Sequence, residues 1–268
     1  MMYKKKMLQF GAGNIGRSFI GQLFSRSRFE VVFVDINKEL VKELNQKRKY
    51  KLVIKRNELS DEIILIKNVR AIDSFDKEAV IREIVDADII ATAVGKHALP
   101  QIVPVIAQGL QLRYKKRGKN PLDIVIAENL RNAADYLRKE LKNFLPEEYP
   151  FDELVGLIES SIGKMVPLMK EEDKKKDLLW VFAEPYNTLI VDKKGFKNPL
   201  PQVMDLWAVE NIKAYVDRKL FIHNLGHSAS AYFGYQYDSE MTFIYEALEV
   251  PEIYKTVGMY ESISSSFK

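Results

Sequence analysis

The hexapeptide Gly11-Ala12-Gly13-Asn14-Ile15-Gly16 constrains this chain more than any other stretch. It follows a short apolar run at residues 7–10, and Ile15, Phe19, Ile20, Leu23 and Phe24 then recur at helical spacing. Between a strand and a helix, each glycine has its own task. Gly11 permits the tight turn, Gly13 lets a pyrophosphate approach the backbone, and Gly16 lets the helix pack close to the strand. The helix start offers N–H groups with no carbonyl a turn earlier to accept them, so Ala12, Asn14 and Ile15 join the glycines as candidate anion-binding positions. A second apolar run, 31–34, ends in Asp35, 19 residues after Gly16. At that spacing a carboxylate accepts hydrogen bonds from an adenosine ribose and repels a 2′-phosphate, which predicts NAD rather than NADP. Lys38 stands close enough to soften that preference. Asp35 would equally serve as a cap for the helix that follows it, so the weight rests on the combination.

The first half continues in the same alternation. Strands are expected at 63–66, with 51–54 as a candidate partner, at 89–94 and at 123–127, and helices at 37–47, 77–85, around 104–110, and from 130 to about 143. Continuous apolar strands separated by helices predict an α/β fold with a parallel sheet covered on both faces. Val94 and Gly95 would then lie at the carboxyl edge of the sheet, where ligands bind in such folds, and Asn129 would reach the same crevice. Strand-like runs at 178–182 and 188–191 flank Glu184-Pro185-Tyr186-Asn187. A proline-containing connector at 198–202 precedes a stretch that reads as helical throughout. These features divide the chain into a cofactor domain, 1–207, and the start of a helical domain, 208–268. The charged runs 115–119 and 170–176 read as solvated loops.

Composition excludes several classes of protein. With no cysteine among 268 residues, there is no disulfide framework, thiolate metal site or thiol nucleophile. With three histidines, His97, His223 and His227, a histidine-rich metal centre is not expected. Lys+Arg 41 against Asp+Glu 37 gives a net charge of +4. That is mild and dispersed, and no basic run interleaves the aromatic cluster Tyr232, Phe233, Tyr235 and Tyr237, so no nucleic-acid partner is expected. No apolar run is long enough to span a membrane, and the basic start is followed by glycines rather than a signal core, so the expected location is the cytoplasm.

The second informative stretch is Lys219-Leu-Phe-Ile-His-Asn224-Leu-Gly-His227. On a regular helix at ~100° per residue, Asn224 and His227 lie about 60° apart and Lys219 about 80° from His227. A neutral lysine can take the proton of an alcohol, an asparagine amide can donate to a developing oxyanion, and a histidine can hold a neighbouring hydroxyl. From spacing alone, a surface lysine beside satisfied polar groups is the better fit. His223 and His227, at i and i+4, have the spacing of zinc ligands but lack an adjacent Glu and an obvious third ligand, so no metal site is assigned.

These residues resemble the polyol-specific long-chain dehydrogenases. The resemblance runs through Phe10–Arg17 and Phe19-Ile-Gly21, then Ala127-Glu128-Asn129, Gly163-Lys164-Met165-Val166-Pro167, Glu184-Pro185-Tyr186 with Ile190-Val191-Asp192, and the Lys219/Asn224/His227 signature. It implies a Rossmann-type doubly wound sheet followed by an all-α substrate domain. It further implies NAD as cofactor and metal-free oxidation of a straight-chain polyol, such as mannitol 1-phosphate to fructose 6-phosphate. Free mannitol, a hexuronate, or NAD binding without turnover stay open, and oligomeric state is not read. Lys219 would be the general base, Asn129 and Asn224 the oxyanion pocket, and His227 the residue that orients a small polyol or sugar phosphate. A base near neutral pH needs a lysine pKa well below roughly 10.4, which desolvation supplies. Gly163 and Lys164 depart from the family's Asp-Arg pair. The chain also ends 41 residues after His227, which makes the helical domain look truncated.

Overall fold

A computed structural model describes residues 5–56, 60–166, 169 and 171–265. Pro167 and Lys170, both singled out above, lie outside the described residues. The chain divides into two compact units, Met1–Glu210 and Asn211–Lys268.

In the first unit β1 (Lys6–Phe10) leads into α1, a π-helical turn at Gly16–Gly21 continued by Gln22–Arg26. Then come β2 (Glu30–Asp35), α2 (Lys38–Lys47), β3 (Lys49–Ile54), β4 (Glu62–Lys67), β5 (Val69–Asp73), α3 (Lys77–Asp86), β6 (Ile89–Thr92) and α4 (Leu99–Arg117). β7 (Leu122–Ile126), α5 (Ala133–Lys142), α6 (Phe151–Leu154), β8 (Val155–Ser161), α7 (Glu171–Lys176), β9 (Val181–Ala183), β10 (Leu189–Asp192) and β11 (Leu206–Val209) complete it. The main sheet runs β11-β10-β8-β7-β6-β1-β2-β5, and a smaller sheet runs β4-β3-β9. All main-sheet pairs are parallel except β10 against β8.

Strand alternation divides the core into two layers. From β1 and β2, Met7, Val31 and Phe33 face one layer with Phe19, Leu23 and Tyr50, while Leu8, Phe10, Val32 and Val34 face the other with Ile84, Val103 and Leu137. Strands apolar on both faces therefore lie between two helical or sheet layers, giving a doubly wound α/β fold of the Rossmann type. The strand order reverses beside β1, which has β2 on one side and β6 on the other, and the register sets Phe10 level with Val34 and Thr92. This alignment brings the loops after β1, β2, β6 and β7 to one edge.

Several expectations change. The lysine run 115–119 includes the last turn of α4, where Lys115, Lys116 and Arg117 meet the negative end of the helix. Residues 171–176 form α7 rather than a loop. The strand expected at 89–94 stops at Thr92, which leaves Val94 and Gly95 in the loop beyond it. β5, β8 and β11 were not anticipated.

The second unit is helical, with α8 (Ile212–Arg218), a π-helical turn at Lys219–His223, α9 (Asn224–Tyr237), α10 (Ile244–Leu248) and α11 (Pro251–Ser265). Its buried apolar centre is Ala247, Ile253 and Val257. No helix among the described residues is long and apolar enough to cross a membrane.

Candidate active site

The glycine loop has the geometry that its sequence calls for. Gly11 sits at φ 91°, and a Cβ there would fall 2.4 Å from the Ala93 carbonyl oxygen of the neighbouring strand's loop. Gly16 is excluded from bearing a side chain by the loop itself: a Cβ would lie 2.0 Å from the Gly11 carbonyl oxygen. Gly16 therefore closes the turn rather than spacing the helix from the strand, and the close contact with β2 falls one turn later, where Gly21 meets the Phe33 ring. Gly13 and Asn14 are exposed, and the space around Gly13 is open. An open loop at a helix start, with no side chain in the way, fits a pyrophosphate.

Asp35 lies at the end of β2 and is half-buried. Its carboxylate accepts the Ala12 N–H at 2.7 Å and the Asn37 N–H at 2.9 Å, which fixes its position beside the loop. The α2 cap is Asn37, whose side chain accepts the Leu40 N–H at 3.0 Å, so capping does not account for Asp35. In register with Asp35 on β5 is Asp73, a second carboxylate at the same edge. Lys38 pairs with Asp73 at 3.8 Å.

Across the strand-order reversal, Glu128 is buried just beyond β7. Its two carboxylate oxygens accept the Val94 N–H at 2.9 Å and the Gly95 N–H at 2.8 Å. Burial pushes its carboxyl above the usual range against the opposing pull of these two N–H groups. Glu128 thus holds the β6 loop in the form in which Gly95 has φ 88°. Asn129, next in the chain, is exposed at the same edge.

Lys164 follows β8 and is 5% exposed. Its ammonium donates to the Glu184 carbonyl at 3.1 Å, the Tyr186 carbonyl at 2.6 Å and the Asn187 Oδ1 at 3.3 Å. Burial lowers its pKa to about 8. At Gly163 a side chain would press on the Tyr186 ring, 3.2 Å away.

In the helical unit, Lys219, Asn224 and His227 are all half-buried. The Asn224 N–H donates to the Lys219 carbonyl five residues back, the bond that defines a π turn. Such a turn advances by about 80° per residue instead of ~100°. Lys219 consequently falls about 20° from His227 rather than the roughly 80° of a regular helix, and about 40° from Asn224 rather than ~140°. One face of a single continuous helix carries all three groups. Burial lowers the Lys219 pKa. His223 and His227 lie ring against ring with centroids 4.5 Å apart. Among the described residues no three His, Asp or Glu side chains are grouped to hold a metal ion.

Three residues of the first unit escaped the sequence reading: Arg17, Asp73 and Glu128. Glu128 stood in a quoted motif without a role, Asp73 lay in an unrecognised strand, and Arg17 gives no sign in sequence of where its long side chain goes.

Residues 5–205 match the family model for the mannitol dehydrogenase Rossmann domain. A mannitol-1-phosphate 5-dehydrogenase of Geobacillus stearothermophilus is 38% identical over 260 residues, covering 95% of this chain and 66% of the relative. One from Streptococcus pneumoniae is 36% identical over 252 residues, 93% of this chain and 65% of the relative. The chain therefore spans about two thirds of the length of the relatives it matches. Among solved structures, substrate-free D-sorbitol dehydrogenase superposes with a TM-score of 0.82 at 17% identity, covering 96% of this chain and 64% of that one. Pseudomonas fluorescens mannitol 2-dehydrogenase, in a ternary complex with NAD and D-mannitol, superposes with a TM-score of 0.80 at 14% identity, covering 97% and 63%. At these identities the superpositions establish the fold, and the family match carries the rest: the chain belongs to the mannitol dehydrogenase Rossmann-domain family.

Proposed function

We propose that this chain carries the cofactor site and catalytic helix of an NAD-dependent, metal-independent polyol dehydrogenase that interconverts mannitol 1-phosphate and fructose 6-phosphate. The observation that carries this reading is the π turn at Lys219–His223, which sets a lysine of lowered pKa on one helix face with an asparagine and a histidine. The identity to two mannitol-1-phosphate 5-dehydrogenases favours that substrate over free mannitol or a hexuronate.

The residues divide the work as follows. The Gly11–Gly16 loop and the start of α1 bind the pyrophosphate, and Asp35 accepts from the adenosine ribose. The paired carboxylates Asp35 and Asp73 repel a 2′-phosphate, and with Lys38 engaged by Asp73 the preference for NAD is kept. Glu128 fixes Val94 and Gly95 beside the crevice. The nicotinamide, when bound, supplies the hydride chemistry. In the direction of polyol oxidation the Lys219 amine takes the hydroxyl proton, the Asn224 amide donates to the oxygen as charge develops on it, and His227 holds an adjacent hydroxyl, while Asn129, exposed at the sheet edge, is the candidate amide donor of the first unit.

The test is an NADH-consumption assay on the purified chain with fructose 6-phosphate, fructose and a ketohexuronate. The expected result is turnover with fructose 6-phosphate at the highest kcat/KM. A higher value with either unphosphorylated ketose would reject the phosphorylated substrate. NADH binding without turnover on any of the three would reject the dehydrogenase reading and leave the cofactor site standing.

A further inference from the structure

Arg17 is the first residue after the glycine hexapeptide, yet its side chain points back into the protein rather than out toward an anion. It is 7% exposed. Its Nε donates to the Ala12 carbonyl at 2.6 Å, and its Nη1 donates to the Leu179 carbonyl at 2.8 Å and, more weakly, to the Leu178 carbonyl at 3.4 Å. The Arg17 main chain is gripped as well, since the Tyr50 hydroxyl donates to its carbonyl at 2.6 Å. Tyr50 belongs to β3, and Leu179 lies two residues before β9, the strand paired with β3. The small sheet thus holds Arg17 at both ends.

Ala12 is held on both sides. Its N–H donates to the Asp35 carboxylate and its carbonyl accepts from the Arg17 guanidinium, so acid and guanidinium hold this loop residue by its two backbone groups. Burying a guanidinium is costly unless it is fully hydrogen-bonded, and here desolvation lowers its pKa to about 10 while nearby Tyr50, Asp35 and Asp177 act the other way. A fold needs no cation there to close a turn that glycines already permit. What the cation adds is a fixed peptide orientation and a fixed positive charge behind a loop whose outer side is open.

We infer that Arg17 is a positioning residue for the cofactor's pyrophosphate: by fastening the Ala12 carbonyl to the small sheet, it holds the glycine loop in its anion-binding form. This rests on the dinucleotide reading of that loop. It also gives the β4-β3-β9 sheet a function, as the anchor of the phosphate loop.

The test measures the binding of NADH, ADP and adenosine to the whole chain by calorimetry or ligand-observed NMR, for wild type, Arg17→Met, Arg17→Lys and Tyr50→Phe. Arg17→Met is expected to weaken NADH and ADP about tenfold or more, with adenosine changed less than about twofold. Arg17→Lys keeps the charge and one donor and is expected to fall between wild type and Arg17→Met. Tyr50→Phe, which leaves the volume almost unchanged, is expected to weaken NADH and ADP by roughly threefold with adenosine spared. If Arg17→Met does not fold, Tyr50→Phe decides the matter alone. The inference is overturned if the folded variants bind NADH and ADP as wild type does, or if adenosine is lost by the same factor. Should wild type itself bind neither NADH nor ADP, the dinucleotide reading falls first and takes the inference with it.

Discussion

Asp35, Lys164 and Lys219 show how much depends on what surrounds a single charge. Asp35 is tied by two backbone N–H groups, so its carboxylate is placed before any ligand arrives. Asp35→Ala is expected to weaken NADH by roughly tenfold and to narrow the gap between NADH and NADPH, read by fluorescence titration with both cofactors. An unchanged ratio would mean that the ribose is held elsewhere. Lys219→Ala is expected to cut kcat by about 10²-fold or more while leaving NADH affinity within about twofold, the split expected of a general base. A variant keeping a tenth of the wild-type kcat would reject that role. Lys164 gives a prediction about stability. Its pKa falls from 10.5 to about 8 on folding, so between those values the unfolded chain binds more protons than the folded one, and this group's contribution to stability rises with pH across that window. Its charging cost is fully present below pH 8. Urea melts at pH 7 and pH 10 should show wild type gaining roughly 2–3 kcal/mol relative to Lys164→Met over that interval, on top of a constant offset from the lost hydrogen bonds. A difference that does not vary with pH would contradict the shift.

At the scale of elements, both candidate sites carry a π turn, one in the glycine-loop helix and one in the helix that carries Lys219, Asn224 and His227. The second has a consequence for phase. A π turn is a helical turn with one residue extra, so deleting Ile222 should restore a regular helix and leave Lys219 on the face of Asn224 and His227. Inserting an alanine after Ile222 instead swings Lys219 away by about 100°. The deletion is expected to keep kcat within about tenfold, and the insertion to lower it by about 10²-fold or more. Equal rates for the two would show that the phase of this helix is irrelevant to turnover. Hydrophobic patterning exposed β1, β2, β3, β4, β6, β7, β9 and β10, because apolar residues dominate each of these short runs. It hid β8, whose sequence carries Gly156, Glu159, Ser160 and Ser161. Three of those have a partner or a packing reason from elsewhere: Glu159 accepts the Ala134 N–H at 3.0 Å, Ser160 donates to the Ile126 carbonyl at 2.8 Å, and at Gly156 a Cβ would collide with Asp123. Polar residues satisfied in the interior look the same in sequence as residues of a loop.

At the scale of the whole molecule, every group assigned to the cofactor lies within Met1–Glu210, which has two extended apolar layers, whereas Asn211–Lys268 buries Ala247, Ile253 and Val257 at its centre. Residues 1–210 expressed alone are expected to fold and to bind NADH within about threefold of the whole chain, with no turnover; a unit as small as 211–268 is not expected to fold by itself. Failure of 1–210 to bind would place part of the cofactor site in the helical unit. What the sequence determined by itself was local. Gly11 is free to take φ > 0, apolar residues two apart face alike on a strand, and a lysine lies about two helical turns from a histidine, because backbone sterics and side-chain periodicity act over a few residues. Tertiary structure alone decided which buried polar group meets which. Arg17 reaches a carbonyl 162 residues away, and Glu128 meets the loop 33 residues before it. Burial demands a partner for each of these groups, but only the folded path of the chain determines which partner comes within reach.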